Sequence, residues 1–168
     1  MLLARYALAI IDSERICARR YIQQLRDSIA AHTPGQVGER AERLIAFAET
    51  RQRVRLDNCL LPALRAAAQQ GNTHDTAVEE IARLAQQGGA ILPGLRDCLR
   101  QPGAASLASF VNAYCGNLAL RLACEEDRLL PLACHLLSDE AWFHVGAAFL
   151  RQDEEDGVNN YAISAKVH

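Results

Sequence analysis

RLACEEDRLLPLACHLLSDEAW, residues 121–142, decides how the chain is read. Residues three and four apart share one face of a helix. On that spacing Leu107, Val111, Tyr114, Leu118, Arg121, Glu125 and Leu132 fall in line, which predicts a helix over about 105–137. Two adjacent carboxylates, Glu125 and Glu126, stand one turn before Leu129, Leu130 and Pro131. One turn before Glu125 stands Arg121, a permanent cation in the same line. Ser138 then reads as the N-cap of a short extra helix, DEAWFHVGAAFLR, with Asp139 and Glu140 in its first turn.

The rest of the chain keeps this character. Its 168 residues suffice for one domain, 1–168, with a sizeable core and a polar, extended tail over 152–168. Half of the residues are hydrophobic and few are aromatic, and alternating runs of Val, Ile and Thr are missing. Leucine, alanine, arginine and glutamine are good helix formers, so the expected class is all-α. A net charge of −2 argues against a general nucleic-acid binder. No apolar run approaches the length of a membrane span. The opening MLLARYALAIIDSER lacks the basic head and cleavage site of a signal peptide, so the cytoplasm is the expected compartment. Cys17, Cys59, Cys98, Cys115, Cys124 and Cys134 form no CxxC pair and read as small buried hydrophobes.

Three more helices are predicted upstream. The first spans about 2–32, with Leu8, Arg15, Ile22, Leu25 and Ile29 near one face, and HTPG (32–35) stops it. The second spans about 36–70, with Ile45, Ala48, Gln52, Leu56, Cys59 and Ala63 near one face. The third spans about 75–100, with Ile81, Leu84, Gln87, Ile91, Leu95 and Cys98 in line. QQGNTHD (69–75) and RQPGAAS (100–106) are the breaks between them. Four long helices with short connections predict an antiparallel up-down-up-down four-helix bundle. Pro62, Pro93 and Pro131 fall inside the predicted helices, so each should kink its helix or start a new one.

A weak internal repeat runs through this pattern. NCLLPAL (58–64) and DRLLPLA (127–133) share Leu-Leu-Pro at an offset of 69, which carries Gln52 onto Arg121 and Leu56 onto Glu125. An offset of 72 carries Arg15 onto Gln87. Two helix pairs related in this way would enclose a central site.

CEEDRLLPLACHLLSDEAW, with AAFLRQDEEDG after it, resembles the closing helices of the hemerythrin-like, or HHE cation-binding, family. The specific part of the resemblance is confined to 121–157, with a weaker echo at 52–64. It implies a four-helix bundle, usually around two irons. The family's second and fourth helices carry His-x-x-x-Glu before a Leu-Phe-Pro, and its first and third supply single histidines. Here the fourth-helix histidine position is Arg121, while Glu125 survives. In the second helix the corresponding positions are Gln52 and Leu56, with Asp57 beside them. The first- and third-helix positions match Arg15 and Gln87. His32, His74, His135, His144 and His168 fall elsewhere, and His135 lies about 15 Å along the helix from Glu125.

The expected molecule is therefore a non-catalytic, degenerate member of that family with no metal and no cofactor. A polar network of Arg15, Gln52, Gln87, Arg121 and Glu125 stands at its centre, unless the arginines snorkel outward. It would bind, sense or scaffold, with a small ligand or a protein as its partner, a second copy included, and neither nucleic acid nor membrane. Two alternatives stay open. One is a metal site rearranged onto Glu125, Glu126, Asp57, Cys59 and Cys124; the other is a thiol redox sensor. The acidic run 125–127 with Asp57 reads otherwise as a solvated face, and Tyr114 and Trp142 as packing residues. QDEEDG lacks the alternation of a calcium loop, and GGAILPG lacks the context of a phosphate loop.

Overall fold

Leucine and alanine at helical spacing build helices throughout the computed structural model. It describes residues 2–71, 76–101 and 105–165, with side chains at all of these except 34 and 157–165. The described residues form five helical rods and no strand. They are α1 (Leu2–Ala30), α2 (34–70), α3 (Ala77–Arg100), α4 (107–136) and α5 (Asp139–Ala165). α1 packs along the first part of α2 and along α5, and α3 packs along α4. No helix among the described residues is long and apolar enough to cross a membrane.

The boundaries follow local chemistry. After Ala30 the chain turns on His32, whose φ of 52° lies in the left-handed region. The Thr33 N–H bonds back to the Ser28 carbonyl at 3.2 Å, closing the end of the helix. Pro34 then opens α2, where a missing N–H costs nothing. Ser138 caps α5, its Oγ accepting from the Ala141 N–H at 3.2 Å. Pro93 lies within α3, which continues through it. α5 is not short, and the tail expected to be extended continues as helix to Ala165. Asp153 explains the extension in part: its carboxylate is held from two other helices, so this end of the rod is docked. His74 and His168 lie outside the described residues, as does most of the loop 71–75.

α2 and α4 are not uniform α-helices. Residues 46–52, 56–60 and 125–129 form wider π-helical turns. Burial explains why. On α2 the inward residues are Ala48, Gln52, Leu56, Leu60 and Leu64; on α4 they are Arg121, Glu125, Leu129 and Ala133, with Leu137 just past its end. Both stripes step by four. In an α-helix each such step overshoots by about 40°, so five positions would wind around the rod. A wider turn removes the overshoot and keeps the stripe inward. Pro62 and Pro131 sit at the start of the α-helical segments that follow, so neither interrupts an α-helical ladder. The turns at 56–60 and 125–129 are 69 residues apart, the offset of the Leu-Leu-Pro repeat.

The core falls into two apolar clusters. One gathers Ala7, Ile11, Leu60, Ile81, Leu129 and Phe149 among others. The other gathers Ile22, Leu25, Leu44, Leu95, Val111 and Leu118 among others. Between them, on three of the rods, the buried residues are polar: Glu14 and Arg15 on α1, Gln52 and Arg55 on α2, Arg121 and Glu125 on α4. α3 crosses the same level with Leu84, Ala85 and Gly88 inward.

α1 meets α5 at Gly146, where an added Cβ would lie 2.6 Å from the Leu3 carbonyl oxygen and 3.0 Å from its carbon. Backbone cannot swing aside, so Gly146→Ala should cost about 1–3 kcal/mol through overpacking. At Gly88 the added Cβ would meet only the Asn117 side-chain amide, which can move. Gly88→Ala should therefore cost less, offset by about 1 kcal/mol of helix propensity. Chemical denaturation of the two variants tests this, and equal costs would rule out the close α1–α5 approach.

Candidate functional site

The middle layer is built by α1, α2 and α4, is joined at one edge by Asp153 of α5, and divides into two ion-pair groups. The first surrounds Glu125, which opens the π-turn of α4 and is 1 % exposed. Gln52, 3 % exposed, donates from Nε2 to Glu125 Oε2 at 3.3 Å. Arg121, 2 % exposed, stands with Nε 3.8 Å from Glu125 Oε1, an ion pair too long for a hydrogen bond. Its Nη1 reaches Glu49 Oε1 at 3.4 Å, and its Nη2 donates to the Ala48 carbonyl at 3.3 Å. Glu49 also accepts from the Tyr114 hydroxyl at 2.9 Å and from Arg53 at 3.1 Å. Arg15 lies on the flank, bonded to Asp12 at 2.6 Å and 3.7 Å from Glu126, which Arg19 also holds.

The second group surrounds Arg55, whose guanidinium binds Glu14 on α1 and Asp153 on α5. Arg55 also lies over the Phe149 ring, 5.5 Å from its centroid. Arg51 donates to Glu14 at 3.1 Å, and the Tyr6 hydroxyl donates to Asp153 at 2.6 Å.

Burial sets the electrostatics. It pushes the Glu125 carboxyl up to about 7, against the pull of Arg121 and Arg15 and with a further push from Glu14. Burial also raises Glu14, while Arg55 and Arg51 pull it down. Tyr114 is raised by burial and by the Glu49 carboxylate, which keeps it a neutral donor. Burial raises the Cys59, Cys115 and Cys124 thiols. That is opposite to what a reactive thiol needs.

Arg15, Gln52, Arg121 and Glu125 are thus all buried in this layer. Gln87 is not among them: it is exposed, and Gly88 takes the inward place. The burial pattern of α1 recurs on α3 at an offset of 70, not 72. Ala7 and Ala77, Ile11 and Ile81, Ala18 and Gly88, and Leu25 and Leu95 all correspond, so Arg15 corresponds to Ala85. Leu25-Arg26-Asp27 and Leu95-Arg96-Asp97 carry that offset as identical triplets. Glu14, Glu49, Arg55, Tyr114 and Asp153 belong to the layer without having been expected there as polar partners. Arg55 meets Glu14 across 41 residues and Asp153 across 98, and Tyr114 meets Glu49 across 65, so no local spacing announces these three pairings.

The donor set does not fit two irons. Two guanidinium groups, Arg15 and Arg121, are buried in the layer, and a guanidinium cannot ligate a cation. His32, His135 and His144 are exposed and away from the layer. Nor does the rearranged set assemble. Asp57 is exposed and paired with Arg53 at 3.1 Å, and Glu126 is held by Arg19. Among the described residues no group of three or more His, Cys, Asp or Glu is placed to hold a metal. Comparison with known proteins returns no matching family model, no matching curated protein and no matching solved structure.

Proposed function

We propose that the chain is a non-catalytic hemerythrin-like protein, a four-helix up-down-up-down bundle with α5 laid alongside. In it a buried arginine–carboxylate layer stands where relatives would hold two irons. It works as a binding, sensing or scaffold protein. The observation that carries this reading is Arg121, buried on the inward stripe one turn before Glu125. The bundle is supported by the two clusters: α1 and α3 run from the first to the second, while α2 and α4 run back. The cytoplasm is the compartment this reading assigns, and six cysteines without a disulfide support a reducing one.

Elemental analysis tests the central claim. Protein purified from iron-replete cells should carry no stoichiometric iron. About two irons per chain, with a visible oxo-bridge absorption, would end this reading.

A further inference from the structure

Four buried side-chain atoms of the middle layer have no hydrogen-bond partner among the described residues: Arg15 Nε, Gln52 Oε1, Arg121 Nε and Glu125 Oε1. Three of them belong to side chains already in contact. Gln52 Nε2 donates to Glu125 Oε2, which leaves Gln52 Oε1 and Glu125 Oε1 both unanswered. A carboxylate cannot answer an amide oxygen, because both only accept. A carboxylic acid can. Its O–H donates to the amide oxygen while its carbonyl accepts the amide N–H, so one proton on Glu125 satisfies both atoms. Arg121 offers the competing solution, since its unpartnered Nε stands 3.8 Å from the same Glu125 oxygen. Glu49 does not depend on Arg121, because Tyr114 and Arg53 hold it too.

We propose that Gln52, Arg121 and Glu125 form a proton-operated exchange of partners. With the proton on, Glu125 is the acid of a two-point pair with Gln52, and Arg121 belongs to Glu49 and the Ala48 carbonyl. With the proton released to solvent, Arg121 closes through Nε onto the Glu125 carboxylate. The exchange goes beyond the function proposed above, since it needs only three side chains and a proton, whatever the family.

Charged groups on α4 and α1 set the balance directly. Arg121 on its own helix and Arg15 and Arg19 on α1 favour the carboxylate, and Glu14 on α1 opposes it. α2 brings Gln52 and, through Arg121, Glu49. α3, packed on the same turn, brings Glu80, which acts on the neighbouring Cys124. Burial tips the balance towards the acid, and Glu125 changes form near neutrality.

Carbon-13 NMR of the glutamate side-chain carboxyls across a pH titration tests the exchange. One carboxyl should titrate near neutrality, and its signal should be missing in Glu125→Gln, a variant that mimics the neutral acid. In Arg121→Gln the midpoint should move up. In the wild type the side-chain amide signal that is lost in Gln52→Leu should shift with the same midpoint, which keeps the test open should Glu125→Gln fail to fold. The proposal is overturned if every glutamate titrates near the ordinary value of about 4. It is equally overturned if the near-neutral midpoint ignores Arg121, or if the Gln52 amide does not move with it.

Discussion

Arg121→Ala should lower the unfolding free energy by about 3–5 kcal/mol at pH above 8, because it strands a buried carboxylate. Glu125 is 1 % exposed, so water cannot take over the role of the lost guanidinium. The cost should depend on pH, and the sign follows from Glu125 itself. Its carboxyl is raised by burial from 4.5 to about 7. The folded state thus keeps a proton that the unfolded state gives up. Stability from this group is fully present below about 4.5 and falls as pH rises towards 7, by about 3 kcal/mol in all. Removing Arg121 pushes the folded value higher still. Near pH 6 the wild-type and variant carboxyls are then both mainly protonated, and the substitution costs less. What remains there is the loss of the Glu49 and Ala48 contacts. The pair Arg121→Met with Glu125→Leu leaves no charge stranded, so it should cost much less than Arg121→Ala at high pH and lose most of this pH dependence. Chemical denaturation near pH 6 and near pH 8.5 separates these cases. A near-zero cost for Arg121→Ala at both would show that the arginine is solvated and that the layer does not hold α4.

How much of this was legible depended on the helix period. The face of α4 that carries Tyr114, Leu118, Arg121 and Glu125 follows ordinary spacing, and those residues are buried as a set. On α2 the expected face ran on to Cys59 and Ala63, but Leu60 and Leu64 are the residues turned fully inward. The π-turn over 56–60 inserts the extra residue that moves the stripe by one. The Leu-Leu-Pro repeat marked the place, but a repeat does not say that a turn widens there. Gln87 failed for a simpler reason. Its position was inferred from an offset of 72 between the first and third helices, whereas their register is 70, written in the shared Leu-Arg-Asp triplets. The second ion-pair group had no such mark. Arg55 meets Asp153 across 98 residues, and a charge in a polar tail gives no sign of a distant partner.

Arg55 is where the second large effect is expected. It is 2 % exposed and binds both Glu14 of α1 and Asp153 of α5 while covering Phe149; the more exposed Arg51 also reaches both carboxylates, at 3.1 and 3.6 Å. Arg55→Ala removes all three contacts and leaves Glu14 buried with only Arg51 beside it. A cost of about 3–5 kcal/mol follows from stranding that carboxylate. Burial raises Glu14, so here too a proton can replace the lost partner, and the cost should ease as the pH falls. Arg55→Lys keeps the charge but loses the fork that spans two carboxylates, so it should fall between the wild type and alanine. Asp153→Asn separates global stability from local docking. Asp153 is more exposed than Glu14, so its global cost should be small, at about 1 kcal/mol. Its loss should free the end of α5 from Tyr6 and Arg55, and amide hydrogen exchange over 150–156 should speed up while α1 and α4 stay protected. If Arg55→Ala costs no more than Asp153→Asn, Glu14 is not held by Arg55, and the layer ties α5 to the core through its apolar face alone.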